Sequence, residues 1–309
     1  MKDIIKTANI IKSGGLVAFP TETVYGLGAD ANSQFACLKI YEAKGRPAHN
    51  PLIVHVSSLD QAKSLAEFNN DALKIATLWP GPLTMVLPKK KGIDIAQCVT
   101  AGLDTIAIRI PSHKLALELI KLSGCAIAAP SANKSGFLSA TTAEHVHSNF
   151  GDNVFTIKTN QNCNIGLEST IIDLSTNQPT ILRHGFFTSE IFESLIEKKI
   201  NVADSESKIK APGMLLKHYA PKTNLRLNAE FLSNDEIGLN FGSSTLNSIN
   251  SFNLSKKGDL LEAALNLYNY LHILDNFCTK NNIKSIAIAS IPHIGIGIAI
   301  NDRLNRACS

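Results

Sequence analysis

Four short segments of the chain carry polar side chains of the kind that bind small anions. Three are polar loops that interrupt apolar, strand-like runs, and the fourth is an apolar strand pattern with Arg109 inside it; they span residues 20–26, 44–50, 130–136 and 105–110. Arg109 cannot lose its charge, so it must face either a carboxylate of the protein or an anionic ligand. Hydroxyls, an amide, a lysine and two arginines from separate segments therefore predict a pocket for a small polyanion.

Length and composition limit the protein classes that fit. At 309 residues the chain is long for one compact core, so two domains are expected. The charged fraction is 18% and the hydrophobic fraction 44%, which is typical of an ordinary globular protein. The net charge of +4 suits an anionic substrate and permits weak RNA contact, but it is far from that of a dedicated basic binding surface.

Cysteine and histidine spacing does not indicate a metal site. The six cysteines include no Cys-x-x-Cys pair and are interpreted as thiols in a reducing compartment. His145 and His147 lie two residues apart on a predicted helix and so point to different faces. We therefore expect no metal held by protein ligands.

Targeting and membrane segments are not indicated. Lys6 and Lys12 interrupt the apolar positions of the first helix, which disfavours a signal peptide. The apolar tract 286–300 is broken by proline and glycine residues, which disfavours a membrane span. A cytoplasmic protein without membrane contact is the expectation.

The elements that would position the polar segments follow an α/β pattern. Strand and helix signals alternate over about the first 200 residues, with Ser33 predicted to cap a helix that ends at Gly45. A polar stretch follows and ends in the sequence His-Tyr-Ala-Pro, and strands near 237–241 and 284–289 then surround a long helix at 260–277. The predicted division is a domain over 1–203, a linker over 204–222 and a smaller α/β domain over 223–309.

Several candidate residues also have purely structural interpretations. Gly26 and Gly28 match a dinucleotide-binding pattern, but too many residues separate them from the preceding strand for the tight turn that this pattern needs. Lys44 and Arg46 could form a solvated helix end. Arg109 could form a structural ion pair, and a histidine within a strand is often a satisfied core residue.

Taken together, the segments resemble the threonylcarbamoyladenylate synthases, the Sua5/YrdC/TsaC family. The resemblance spans the whole chain and includes a second domain, as in the two-domain Sua5 type. It implies a YrdC-like domain with a twisted mixed sheet flanked by helices, followed by a smaller Rossmann-like α/β domain. The stretches that carry it are residues 19–28, 44–47, 50–56, 79–84, 129–136, 166–170, 181–183, 212–214, 218–221 and 295–303.

The resemblance implies a nucleotidyltransferase that condenses L-threonine, bicarbonate and ATP into threonylcarbamoyl-AMP and releases pyrophosphate. This product serves N6-threonylcarbamoyladenosine modification of tRNA at position 37, so downstream threonylcarbamoyl-transfer proteins are implied partners. Mg²⁺ is expected on the ATP phosphates, held chiefly by the nucleotide and water.

Matching motif to motif assigns roles to individual residues. The cationic residues implied in catalysis are Lys44, Arg46 and Arg109. The residues implied at the threonine pocket are Thr23, His55, Arg109, Ala129 and Ser169. The residues implied at the nucleotide are Arg46, Asn50, Thr105, Ser131, Asn133, Ser139, Arg183 and Tyr219. The linker segment that carries Tyr219 is predicted to fold over the opening of the active site.

Two other functions compete with this interpretation. The first is a non-catalytic protein that binds double-stranded RNA or tRNA, against which stand the small charge excess and the 6% aromatic content. The second is a carbamoyl-transfer factor of the hydrogenase-maturation type, which shares a YrdC-like domain. Such factors carry zinc-finger cysteine pairs, and this sequence has none.

Overall fold

The computed structural model describes residues 2–159, 163–203, 211, 218–248 and 250–308. Helices α1 to α10 span Lys2–Lys12, Gln34–Lys44, Leu59–Leu65, Asn70–Ile75, Gln97–Thr100, Lys114–Ser123, Ala143–Phe150, Ser189–Ile196, Leu260–Asn281 and Gly297–Cys308. Strands β1 to β7 span Val17–Phe19, Gly26–Asp30, Ile53–His55, Leu83–Pro88, Thr105–Arg109, Ile127–Ala128 and Phe155–Thr156. Strands β8 to β14 span Thr170–Asp173, Thr180–Arg183, Asn201–Val202, Asn224–Arg226, Glu236–Asn240, Phe252–Asn253 and Ser285–Ile288.

The first domain is built on a ten-stranded mixed sheet with the order β10-β9-β8-β4-β5-β3-β6-β2-β1-β7. Pairs such as β3 with β5 run parallel, whereas β4 with β5 and β3 with β6 run antiparallel. The strand residues of β1, β3, β4 and β8 are buried almost throughout, which explains why apolar residues predominate in them. The predicted mixed α/β fold is confirmed.

The second domain has a separate, fully parallel sheet with the order β11-β14-β12-β13. Helix α9 supplies an apolar face from Ala264, Leu267 and Leu271, which are buried against this sheet in one core. The last strand of the first sheet ends at Val202, and the second sheet begins at Asn224. The linker predicted over 204–222 lies largely outside the described residues, so its boundaries stay a prediction.

Helix α2 is bounded by the signals read from the sequence. The Ser33 hydroxyl accepts a hydrogen bond from the backbone N–H of Ala36 at 3.2 Å, and Gly45 adopts φ 61°, the left-handed conformation that glycine adopts most easily. The predicted helix from a Ser33 cap to Gly45 is confirmed.

Strand β2 contains the two glycines of the apparent dinucleotide pattern. Gly28 lies directly against Phe19, and a Cβ atom at this position would come within 2.7 Å of the phenyl ring. Gly26 packs against the same ring. These glycines therefore allow two strands to approach closely around an aromatic side chain, and they do not form a phosphate-binding turn before a helix.

The apolar tract 286–300 is divided between two elements. Strand β14 ends at Ile288, and helix α10 begins at Gly297. Helix α10 was not predicted, because its glycine-rich start resembles a loop. In the part of the chain that the structure describes, there is no helix with the length and hydrophobicity needed to cross a membrane.

Candidate active site

A cavity lies where several strand ends and loops of the first domain meet the end of the linker. The register of β3 and β5 pairs His55 with Arg109, so the ends of these two parallel strands deliver both side chains to one place. The β6 strand continues into the loop that carries Ser131. The cavity is lined by Thr21, Thr23, Val24, Tyr25, Gly26, Arg46, Ile53, His55, Arg109, Ala129, Pro130, Ser131, Glu168, Arg183, His218 and Tyr219.

Arg109 is held by a buried carboxylate at the edge of the cavity. Its Nη2 donates to Glu22 Oε1 at 2.7 Å, and both side chains are about 95% buried. Burial raises the pKa of Glu22, but the charge and hydrogen bond of Arg109, with help from backbone donors, outweigh it and lower that pKa overall. The structural ion pair considered for Arg109 therefore exists, and the same side chain also lines the cavity.

Arg46 and Lys44 are buried, which contradicts the interpretation of a solvated helix end. Lys44 is 3% exposed and Arg46 7%. Arg46 donates to both oxygens of Asn50, from Nε at 3.0 Å and from Nη2 at 2.6 Å, and also to the Pro51 carbonyl. These bonds fix the loop after α2 and direct a guanidinium toward the cavity.

Lys44 lies behind the loop that follows β6. Its Nζ donates to the Ser131 carbonyl at 2.6 Å and to the Asn133 carbonyl. Burial, together with the nearby charges of Arg46 and Lys134, lowers the pKa of Lys44 well below its ordinary value. A bound anion would counteract this shift, because it favours the charged ammonium.

Arg183, at the end of β9, is bound to the start of β8. It donates to the Ser169 carbonyl from Nε at 3.1 Å and from Nη2 at 3.0 Å, and to the Ser169 hydroxyl at 3.1 Å. The Ser169 hydroxyl is also 2.7 Å from that of Thr84. This network holds a third guanidinium at the cavity wall and places Ser169 directly behind it.

Two histidines of the cavity are uncharged at neutral pH because they are buried. Burial lowers the pKa of His55 to about 3, with a contribution from the charge of Arg109. Burial likewise lowers the pKa of His218 to about 3. Each ring can therefore donate one hydrogen bond and accept another at neutral pH, which suits orientation of a polar ligand rather than charge compensation.

Several buried polar atoms around this cavity have no hydrogen-bond partner. Buried polar groups in folded proteins are almost always bonded, so a cluster of exceptions at one place indicates a site built for a polar ligand. Among the described residues these atoms are Glu22 Oε2, Asn50 Nδ2, Arg109 Nε, Asn133 Oδ1, His218 Nδ1 and the Tyr219 hydroxyl.

The residues predicted from the sequence fall into three groups. Eight line the cavity: Thr23, Arg46, His55, Arg109, Ala129, Ser131, Arg183 and Tyr219. Five lie next to the lining residues. Four of these, Lys44, Asn50, Ser139 and Ser169, bond directly to a lining residue, and the fifth, Asn133, bonds to Lys44. The last, Thr105, is not brought to the cavity; it pairs with Pro88 at the other end of β5, about 13 Å along the strand from Arg109.

Sequence reasoning assigned no role to two carboxylates at the site: Glu168, which lines the cavity, and Glu22, which is paired with the lining Arg109. Glu22 was part of the first polar loop, and the rule that a buried arginine needs a carboxylate partner could have identified it. Glu168 precedes β8 and is 5% exposed. It accepts hydrogen bonds from Ser139 and from residues of the second domain that no local pattern could connect to it.

Comparison with known protein families shows the family to which the chain belongs. The Sua5_yciO_yrdC family model, described as "Telomere recombination", matches residues 9–185, and the Sua5_C model, described as "Threonylcarbamoyl-AMP synthase, C-terminal domain", matches residues 187–309. The chain belongs to the Sua5/YciO/YrdC family. Both parts of the two-domain Sua5 architecture are therefore present in this chain, and the resemblance inferred from the sequence motifs is confirmed.

Sua5 relatives are similar to this chain over nearly its whole length. The threonylcarbamoyl-AMP synthase of Pyrococcus abyssi is 40% identical, covering 97% of this chain and 92% of the relative. That of Bacillus subtilis is 37% identical over 98% and 92%. The crystal structure of P. abyssi Sua5 complexed with L-threonine superimposes with a TM-score of 0.89 at 38% identity, covering 99% of this chain and 94% of that one.

More distant solved structures share the fold alone. Escherichia coli YciO aligns with a TM-score of 0.53 at 21% identity, covering 61% of this chain. Full-length HypF aligns with a TM-score of 0.52 at 18% identity, covering 59% of this chain and 28% of its own. A shared fold does not determine chemistry, so neither likeness supports the alternative functions.

Proposed function

We propose that the cavity binds L-threonine, bicarbonate and ATP and joins them into threonylcarbamoyl-AMP with release of pyrophosphate. The observation that carries the proposal is the convergence of three buried arginines on one cavity, with the buried Lys44 bonded to the loop that carries Ser131 in its wall. Relatives at 37–40% identity over almost the whole chain are named threonylcarbamoyl-AMP synthase, and P. abyssi Sua5 has been solved with L-threonine. The enzyme is a nucleotidyltransferase that serves threonylcarbamoyl modification of tRNA.

The charges of the site match the charges of the three substrates. A threonine carboxylate, bicarbonate and a triphosphate repel one another in water, and fixed cations must offset that repulsion. We assign the threonine carboxylate to Arg109, with His55 and Thr23 beside it. Arg46 and Arg183 then face the nucleotide, because their guanidinium groups enter from other elements of the cavity wall.

The reaction proceeds in two displacements that the protein organises by position. The threonine amine attacks the bicarbonate carbon, water leaves, and a carbamate forms. A carbamate oxygen then attacks the α-phosphorus of ATP, and pyrophosphate departs with the electrons of the broken P–O bond. No side chain is required as a covalent nucleophile, so catalysis rests on orientation and charge stabilisation.

Divalent metal would reach this site with the nucleotide. Among the described residues no group of three or more His, Cys, Asp or Glu side chains is placed to hold a metal ion. The two carboxylates at the site, Glu22 and Glu168, already accept hydrogen bonds from arginines. The protein donors therefore do not fit a resident metal, and we propose that Mg²⁺ binds to the ATP phosphates and water.

The end of the linker covers one side of the cavity. His218 and Tyr219 line it, the His218 N–H donates to the Arg306 carbonyl, and the Ala220 N–H donates to the Gly136 carbonyl at 2.8 Å. We propose that this segment shields the product, a labile mixed anhydride, from water. The predicted linker residues 212–214 lie outside the described residues.

Transfer proteins that act on tRNA must consume such a reactive product, and we propose them as partners of this enzyme. The alternative of a non-catalytic RNA-binding protein is less consistent with the site. Lys44, Arg46, Arg109 and Arg183 are each less than 8% exposed and cannot contact the backbone of an RNA helix. Any RNA contact would have to use other, exposed residues and would be weak.

Pyrophosphate release tests the proposal. Purified protein with ATP, Mg²⁺, L-threonine and bicarbonate is expected to release pyrophosphate, and omission of either threonine or bicarbonate should abolish it. Chelation of the metal should also abolish release. No release with all substrates, together with salt-sensitive binding of tRNA, would contradict the proposal and favour the RNA-binding alternative.

A further inference from the structure

Thr21 lines the cavity but has no role in the proposed mechanism. It stands there beside Thr23, which is assigned to the threonine subsite. The hydroxyl oxygens of the two residues lie 2.7 Å apart, and both side chains belong to buried residues. Any hydrogen bond that Thr23 makes to a ligand therefore depends on which of the two hydroxyls donates to the other.

The other bonds of Thr21 fix the direction of that contact. The Thr21 hydroxyl donates to the Val24 carbonyl at 2.7 Å, and because a carbonyl only accepts, the single hydroxyl proton of Thr21 is used there. The backbone N–H groups of Thr23 and Val24 donate to the same Thr21 oxygen at 3.1 and 3.2 Å, which holds this side chain in one orientation. In the contact between the two hydroxyls, Thr23 is then the donor and Thr21 the acceptor.

Thr23 consequently has no proton left for a ligand. A hydroxyl has one donor and two acceptor sites, so the Thr23 oxygen retains acceptor capacity alone. Such an oxygen suits a ligand group that only donates. Under the proposed function, L-threonine carries one group of this kind, its α-ammonium, whereas its carboxylate only accepts and its hydroxyl can do either.

We propose that Thr21 is a positioning residue of the amino-acid subsite: it accepts the hydrogen bond of the Thr23 hydroxyl and so makes Thr23 an acceptor for the α-amino group of L-threonine. This arrangement also serves the reaction. In the neutral amine, which is the form that attacks bicarbonate, a bond from one N–H to Thr23 orients the nitrogen and leaves its lone pair free. The inference rests on the proposed function, because it assigns the cavity to L-threonine.

The test compares two substitutions of Thr21 that differ in the hydroxyl. Thr21→Val keeps the size of the side chain but removes the acceptor, so the Thr23 proton is free to point at the substrate ammonium. We expect the KM for L-threonine to rise about tenfold, the size of one hydrogen bond to a charged group, and the KM for ATP to change by less than about threefold. Thr21→Ser keeps the hydroxyl and should hold the KM for L-threonine within about threefold of that of the unsubstituted protein.

A second background separates positioning from packing. In Thr23→Val no hydroxyl remains for Thr21 to orient, so adding Thr21→Val should change the KM for L-threonine by about twofold or less. Thr7→Val is the matched control, since Thr7 is also buried and its hydroxyl also donates to a backbone carbonyl, that of Asp3 in α1, at 2.6 Å. This control should leave the KM values for L-threonine and ATP unchanged.

L-2-Aminobutyrate, which lacks the side-chain hydroxyl of L-threonine, identifies the substrate group that Thr23 contacts. Its displacement of labelled L-threonine is measured by equilibrium dialysis, and Thr21→Val should raise its dissociation constant by the same factor as that of L-threonine. A dissociation constant that is the same in both proteins, or the absence of displacement, would assign Thr23 to the substrate hydroxyl and contradict the inference.

Two further results would overturn the inference. An equal rise in the KM for L-threonine in both backgrounds would mean that Thr21 acts by packing or by direct contact with the substrate. A Thr21→Ser protein as impaired as Thr21→Val would mean that the hydroxyl is not the group that matters. If Thr21→Val does not fold, Thr21→Ala is measured in its place with the same expectations. Absence of turnover in the unsubstituted protein would instead contradict the proposed function itself.

Discussion

Substitution of Arg109, which is paired with Glu22, tests the proposed threonine subsite. Glu22 holds the Arg109 Nη2, whereas Nε is buried without a partner. A guanidinium can therefore bond to Glu22 and still present a second donor to a substrate carboxylate. In Arg109→Lys the positive charge remains, but a single ammonium cannot reproduce both directions of the planar fork.

The expected loss follows from one charge-assisted hydrogen bond. Such bonds contribute about 1.5–3 kcal/mol, which corresponds to a roughly 10- to 150-fold rise in the KM for L-threonine. The KM for ATP should change by less than about threefold, because its proposed arginines enter from other elements. Lysine retains the buried charge opposite Glu22, so the fold should survive better than in Arg109→Met, where an unpaired carboxylate costs about 3–5 kcal/mol.

Steady-state rates of pyrophosphate release give the KM for L-threonine and the KM for ATP when each substrate is varied in turn. Arg183→Lys is the matched comparison, and it should raise the KM for ATP while affecting threonine less. An Arg109→Lys protein that binds threonine normally but has lost affinity for ATP would refute the assignment of Arg109 to the amino acid.

Three further predictions concern Tyr219, two buried histidines and a glycine of strand β2. Tyr219→Phe removes a buried hydroxyl without a partner, so the melting temperature should stay the same or rise. The KM for ATP should rise severalfold if the hydroxyl binds the nucleotide, and unchanged kinetics would exclude that role. Burial lowers the pKa values of His55 and His145 to about 3, so the unfolded state binds more protons than the folded state between pH 3 and 6.5. Acidification through that window should therefore lower the free energy of unfolding, by about 2 kcal/mol per histidine at pH 5. Chemical denaturation at pH 7.5 and 5 measures this, and His145→Gln should show a smaller loss than the unsubstituted protein. Gly28→Ala would place a Cβ 2.7 Å from the Phe19 ring and should lower stability by about 1–3 kcal/mol in the same assay, whereas a neutral effect would show that the ring can move.

Features set by neighbouring residues were predictable from the sequence. The start and end of α2 depend on Ser33 and Gly45, which act within one turn of the helix, and both were identified correctly. The structure brings most of the first-domain motifs to one cavity, because most of them lie at or just beyond strand ends. Strand β2 was not predicted, since the glycines that let it approach Phe19 resemble a loop in sequence.

Features set by tertiary contact were not predictable in the same way. Glu168 and Arg303 are 135 positions apart and belong to different domains, and neither has a local pattern that indicates the other. The burial of Lys44 and Arg46 likewise depends on carbonyl groups of the loop after β6 and of residues 50–51. Thr105 was assigned to the nucleotide although it lies outside the strongest motifs, and the strand places it at the far end from Arg109.

Transfer of labelled bicarbonate into a nucleotide product tests the central claim most directly. The enzyme is incubated with ¹³C-bicarbonate, L-threonine, ATP and Mg²⁺, and the products are separated rapidly and identified by mass spectrometry. We expect one labelled carbon in a species that contains both threonine and AMP, formed in step with pyrophosphate. Pyrophosphate release without a labelled threonine–AMP species would contradict the account, because the cavity would then activate a different acceptor.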